Sequence, residues 1–254
     1  MSAVLDPDAV PAELVELTRA LGARGRDQAI LAEGNTSCRL DGERIVVKTS
    51  GSNMERATAA DFVVADTAPL VEMLHDPGAT QADLTAALDA GEHDGRRVRA
   101  SIETLVHVAV QAVSPARWVA HTHPTAVVGL LASVGAERVF AEAVYSDEAV
   151  VLADPLFVPY AEPGLALGKV VHRSLRRRFE ETGELPRLVL LANHGIVAIA
   201  DSAAGAQGIC EMAVKSATVR QIALAAGGLR PIAAESVAGY VARGDVVERR
   251  SRLG

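Results

Sequence analysis

The sequence predicts an α/β fold in which a mixed, largely antiparallel sheet is covered on both faces by helices. Strand-like and helix-like segments alternate irregularly along the chain, which does not suit a doubly wound parallel sheet. Neighbouring strands are separated by short turn signals, Asp41-Gly42 and Asn193-His194-Gly195, too brief for the crossover that parallel pairing needs. The third observation is bulk: 254 residues with 49% hydrophobic content supply a sizeable core, and no linker, repeat or low-complexity segment divides it. One domain is expected over 1–254, with a core of about 10–226 and a C-terminal helix and tail over 227–254.

The elements follow in order. Pro11 to Arg24 is read as a helix, with Pro at its start, Leu14, Leu17 and Leu21 on one side and Gly22 and Gly25 at its end. Residues 36–40 and 43–48 flank Asp41-Gly42, the pair favoured in a two-residue type I′ hairpin turn. Phe62 to Ala65 reads as a strand and Pro69 to His75 as a short helix. Asp76 to Arg99 is polar, with a helix around Ala82–Leu88 and then a loop. Ser101 opens a helix through Val113 that puts Ile102, Leu105, Val106, Ala109 and Val113 on one side. Trp118 to His123 is a buried strand stopped by Pro124, and a helix follows from Thr125 to Ser133. Tyr145 to Pro163 reads as irregular, with a short strand at Val150-Val151-Leu152. Gly164 to Thr182 is an amphipathic helix. Its Arg176 and Arg177 stand four residues before Glu180 and Glu181, a solvated face of ion pairs rather than an anion patch. Residues 188–192 and 196–200 are two apolar strands. Helices over 203–226 and 234–242 and a charged tail complete the chain.

Composition excludes several functions. Aromatics are 3%, too few for base-stacking surfaces, and a formal charge of −7 opposes general binding to a phosphate backbone. No apolar run approaches the roughly 18 residues of a membrane span, and residues 1–10 carry no basic-then-apolar leader. Cys38 and Cys210 are too few for a disulfide framework and fit a reducing compartment. The expectation is a soluble cytoplasmic protein that binds neither nucleic acid nor membrane.

The residues with chemistry centre on His121-Thr122-His123. Positions two apart on a strand face the same way, so both imidazoles share one space, as a divalent metal and zinc above all would require. Such a pair alone is more often two ordinary histidines than a metal site. His194, at the tip of a tight turn between two buried strands, would add a third imidazole, with Gly195 supplying the turn's backbone freedom. His75, His93, His107 and His172 fall on helices or loops without evident partners. Glu103 lies in the first turn of the helix opened by Ser101, where the helix dipole favours a carboxylate. If that helix packs antiparallel to the His-x-His strand, Glu103 reaches the end where His123 sits and becomes a candidate proton carrier. Ser50-Gly51-Ser52 and Ser101, with Asn35 and Lys48 close by, offer hydroxyls and amides for an anionic group.

Gly34-Asn35-Thr36-Ser37, Thr49-Ser50-Gly51, Ser101-Ile102-Glu103, His121-Thr122-His123 and Asn193-His194-Gly195, in this order, resemble the motif series of the class II aldolase/adducin family. Pro159 to Gly164 also resembles the family's pattern between the paired and the single histidine. The resemblance spans about residues 10–226. It implies a three-layer α/β/α domain assembled as a homotetramer, with one zinc per subunit held by His121, His123 and His194. Glu103 would be the acid/base and a further metal ligand. Asn35, Ser50, Gly51 and Ser101 would form the phosphate pocket, and Tyr145 would protonate the aldehyde across a subunit boundary. Ile102 stands where the sugar-phosphate aldolases commonly carry a second serine. Losing that hydroxyl costs a charged ligand on the order of 1–3 kcal/mol, so the phosphate reading is weaker than the metal reading.

The function implied is reversible cleavage of a small ketose or ketose 1-phosphate into a dihydroxyacetone-type fragment and an aldehyde. Zinc would stabilise the enediolate, and no Schiff-base lysine is needed. The alternatives are a sugar-phosphate epimerase, dehydratase or decarboxylase using the same zinc chemistry, or an adducin-like assembly module without catalysis.

Overall fold

The computed structural model describes residues 2–114 and 116–251. The strands are β1 (Ala3–Val4), β2 (Asn35–Arg39), β3 (Arg44–Lys48), β4 (Phe62–Asp66), β5 (Asp89–His93), β6 (Arg96–Arg99), β7 (Trp118–Thr122), β8 (Leu156–Val158), β9 (Leu188–Leu191) and β10 (Gly195–Ala200). The helices are α1 (Ala12–Gly22), α2 (Thr67–His75), α3 (Gln81–Ala87), α4 (Thr104–Val113), α5 (Thr125–Leu131), α6 (Ser146–Val151), α7 (Leu165–Thr182), α8 (Ala203–Ala225), α9 (Ala234–Val241) and α10 (Gly244–Ser251). Eight strands form one sheet in the order β1-β4-β3-β2-β7-β10-β9-β8, while β5 and β6 pair separately. Only β8 and β9 run parallel among the described pairs.

Alternation along the strands divides the core in two. Ile45, Val47, Val63, Val119, Val189 and Val197 face α2, α3, α4 and α7. Val46, Val64, Trp118, Ala120, Leu190 and Ile196 face α1, α5 and α8. The result is the expected three-layer α/β/α arrangement. Helices α4 and α7 lie so close that a Cβ on Gly168 would stand 2.6 Å from Leu105.

Four local expectations give way. Val150 and Val151 belong to α6, not to a strand. Glu148 in that helix accepts from the Val144 amide at 2.5 Å and pairs with the buried Arg220, so tertiary contacts override the β preference of the valines. The edge strand falls instead at β8, beside β9. The region after α3 is not a loop: Asp94 (φ 49°) and Gly95 (φ 73°) take left-handed conformations and close the β5–β6 hairpin. Its polar sequence hid the strands because little of it is buried. Asp41-Gly42, by contrast, does not adopt the type I′ turn. The Asp41 carboxylate accepts from the Glu43 and Arg44 amides at 2.9 Å each and organises a longer turn from its side chain. The tail forms α10, whose Arg249 pairs with Asp147; residues 252–254 lie outside the described part.

Candidate metal centre and active site

The middle of the sheet delivers the site. β7 lies between β2 and β10, antiparallel to both, with His121 opposite Asn35 on one side and Val197 on the other. His121 is on the strand, and His123 follows its end, its amide bonded to the Gln28 carbonyl at 2.8 Å. Thr122 turns the other way, to Gln28 Oε1 at 2.9 Å. His194 sits in the β9–β10 turn. The left-handed residue there is Asn193 (φ 54°), not Gly195. Gly195 is required for a different reason: a Cβ would lie 2.4 Å from the Thr122 carbonyl oxygen and 2.7 Å from His123 Cδ2. Its missing side chain lets the turn close onto β7 and brings His194 to the other two histidines.

Helix α4 packs on this face and supplies Glu103. The residue is at the N-cap position rather than in the first turn, and its side chain makes no capping bond. It reaches His194 Nε2 at 2.8 Å and His121 Nε2 at 3.0 Å instead. One ligating atom from each of Glu103, His121, His123 and His194 lies within 4.8 Å of the others. Burial opposes the charge on Glu103, yet the neighbouring His121 and His194 hold its carboxyl far below the usual carboxylate range. Burial likewise disfavours a charged His121, but the Glu103 carboxylate raises its pKa above the ordinary value. Burial and then the adjacent His121 and His194 push His123 down to about 3.

The residues expected to meet an anionic group lie beside this cluster. The Ser101 amide donates to the Lys48 carbonyl at 3.0 Å and the Ser50 amide to the Arg99 carbonyl at 2.9 Å, so Thr49-Ser50-Gly51 runs alongside Ser101. Asn35 Nδ2 donates to Ser101 Oγ at 3.0 Å and to Glu103 Oε2 at 2.9 Å, tying Ser101 to the acid. Ser50 and Gly51 are exposed, and Ile102 is 43% exposed. Lys48 is buried and its amine, lowered by burial to about 8, donates to the Thr49 carbonyl at 3.1 Å. Tyr145 is not drawn into the cluster of its own chain: its hydroxyl donates to Met212 Sδ at 2.7 Å, and Lys215 Nζ lies 5.5 Å from its ring centre.

Sequence reasoning missed His107 and Ser37. His107 is fully buried with a partner on each ring nitrogen, Ser37 Oγ at 2.7 Å and Asn35 Oδ1 at 2.5 Å. The spacing was the available signal: His107 is four residues after Glu103 on one helix, and Ser37 is two after Asn35 on one strand.

A sequence profile described as the class II aldolase and adducin N-terminal domain matches residues 12–220. The chain belongs to the class II aldolase and adducin family. A search of curated proteins returned no match. Among solved structures, L-fuculose-1-phosphate aldolase from Thermus thermophilus is similar with a TM-score of 0.62 at 20% identity, over 89% of this chain and 99% of that one. YgbL from Klebsiella pneumoniae, named only as a candidate aldolase, epimerase or decarboxylase, aligns with a TM-score of 0.67 at 19% identity, over 92% and 98% of the two chains. The N-terminal class II aldolase domain of a conserved Thermoplasma acidophilum protein gives 0.62 at 21% identity, over 82% and 91%. At these identities the likeness shows the fold.

Class II aldolases use a divalent metal, and the cluster has the donor set for one. His121 Nδ1 faces the Ile196 carbonyl at 2.8 Å; a carbonyl only accepts, so Nδ1 carries the proton. In the neutral ring Nε2 is then a bare lone pair, aimed at Glu103 Oε2 and, at 2.8 Å, at His123 Nε2. Acceptors gathered this closely in a buried site call for positive charge among them, from a proton or a cation. The residues fit a metal.

Proposed function

We propose that this protein is a zinc-dependent class II aldolase that reversibly cleaves a small ketose or ketose 1-phosphate into a dihydroxyacetone-type fragment and an aldehyde. The observation that carries the reading is the convergence of Glu103, His121, His123 and His194 in one cluster, the first two buried and the others partly so, with Asn35 and Ser101 bonded at its edge. The three histidines, with Glu103 as a further ligand before substrate arrives, would hold one zinc ion per subunit. A bound zinc supplies a Lewis acid to the substrate's carbonyl and adjacent hydroxyl oxygens, an electron sink for carbon–carbon cleavage. In the cleavage direction a proton leaves the C4 hydroxyl, the C3–C4 bond breaks, and its electron pair stays with C3. Glu103, a carboxylate with no capping duty, carries the proton to and from C3. Asn35, Ser50, Gly51 and Ser101 orient the far end of the substrate through amides and hydroxyls. Tyr145, engaged with α8 of its own chain, is assigned to the aldehyde side of a neighbouring subunit's site in a homotetramer. The protein would work in the cytoplasm. An epimerase, dehydratase or decarboxylase would use the same centre and differ in the bond broken.

The test is a screen of short ketoses, with and without a 1-phosphate, on the zinc-loaded protein. Aldehyde release is expected from at least one of them, lost on chelation and restored by zinc. Glu103→Gln should lower kcat by about 10²–10⁴-fold while keeping the metal. Activity that survives chelation, or a normal rate in the Glu103 variant, contradicts the mechanism.

A further inference from the structure

Behind the metal cluster, Ser37 and His107, which the proposed reaction does not itself use, extend a polar chain from Asn35 and Glu103. Asn35 and Ser37, two apart on β2, face α4, where Glu103 and His107 are four apart. Two strand residues span about 6.7 Å and four helical residues about 6 Å, so the two pairs come into register. All four side chains are buried: Ser37 and His107 are 0% exposed, Asn35 2% and Glu103 6%.

The hydrogen bonds can be read in one direction only. Asn35 donates through Nδ2 to Glu103 Oε2 at 2.9 Å and to Ser101 Oγ at 3.0 Å, so its Oδ1 is the atom at 2.5 Å from His107 Nε2. That oxygen can only accept, and His107 Nε2 must carry a proton. Burial, then the neighbouring His121, lowers the His107 pKa to about 3, so the ring is neutral and Nδ1 is bare. Nδ1 therefore accepts from the Ser37 hydroxyl at 2.7 Å. Turning the Asn35 amide over would set its NH₂ against the His107 N–H and its oxygen against the Glu103 carboxylate, two repulsive contacts in a buried site.

We propose that His107, its Nε2–H given to Asn35 and its bare Nδ1 held by the Ser37 hydroxyl, is a positioning residue that fixes the Asn35 amide and through it the Glu103 carboxylate. Once His121 gives its Nε2 lone pair to a metal it cannot also donate to Glu103 from that atom. Asn35 Nδ2 is then the donor left to Oε2, and His107 is what keeps it turned that way.

The rate readout rests on the lyase reading, whereas a spectrum of the ring does not, so the two are tested separately. In the full-length protein with ¹⁵N-labelled histidine, His107 should show one protonated nitrogen, Nε2, and a bare Nδ1. A protonated Nδ1 on His107 overturns the proposal whatever the enzyme catalyses. In turnover, His107→Leu should lower kcat by about 10–100-fold with zinc content and KM little changed. His107→Gln, whose amide can donate to Asn35, should recover most of that rate. A folded, zinc-replete His107→Leu with the wild-type kcat overturns the proposal. If the leucine variant does not fold, Ser37→Ala decides: with its donor gone, the bare Nδ1 of His107 should shift in the spectrum and kcat should fall, and an unchanged spectrum with an unchanged rate overturns the proposal.

Discussion

Lys48 shows how much one buried residue can depend on its setting. Its side chain is 1% exposed at the end of β3, and burial lowers the amine from 10.5 to about 8 while Asp61 and Glu103 pull it back up. Between about pH 8 and 10.5 the unfolded chain holds this proton and the folded chain has released it, so stability should rise with pH across that window. Lys48→Met should flatten the rise and increase stability at neutral pH, where the folded protein carries a buried ammonium. Urea denaturation of both proteins from pH 7 to 10 measures the difference; equal slopes would contradict it. At this scale the sequence was partly legible. Strand alternation put His121 and His123 in one space, and turn chemistry held His194 at a tip. His107 was harder to read: its spacing from Glu103 put it on the same helix face, but its partners Ser37 and Asn35 are 70 and 72 residues away in the chain.

Among the elements, α4 carries the most, with Glu103 at its start and His107 one turn on. Its position is set by α7, and Gly168 is the point of closest approach. Replacing a helical glycine by alanine gains about 0.5–1 kcal/mol from backbone entropy. Here the new methyl would meet three Leu105 side-chain atoms at 2.6 to 2.9 Å, and overpacking of that kind costs about 1–3 kcal/mol. The steric cost wins. Gly168→Ala should destabilise the protein by about 1–2 kcal/mol in chemical denaturation and lower kcat by displacing α4, and a stabilised variant would show that the helices separate freely. The legible elements carried a clear apolar signal, α1 and α7 as one buried stripe and β7 and β10 as runs buried on both faces. The β5–β6 hairpin was not, since with little buried surface it has no apolar alternation to read. The valines of α6 misled because Glu148, held by Arg220 from α8, decides the local conformation.

For the molecule as a whole, the sheet order explains why distant residues can form one site. β7 is flanked by β2 and β10, so Asn35, His121 and His194 arrive side by side from separate thirds of the chain, and α4 adds Glu103 from above. The layered architecture followed from composition and turn signals, and the family from the ordered motifs. Tyr145 touches α8 of its own chain, and its proposed role needs a neighbouring subunit. Among the described residues no helix is long and apolar enough to cross a membrane. The most direct test of the central claim is elemental analysis of the purified protein after dialysis against trace zinc, for the wild type and for His194→Ala. One zinc per chain in the wild type, falling well below that in the variant, is the predicted result. A folded wild-type protein that retains no stoichiometric metal would contradict the account.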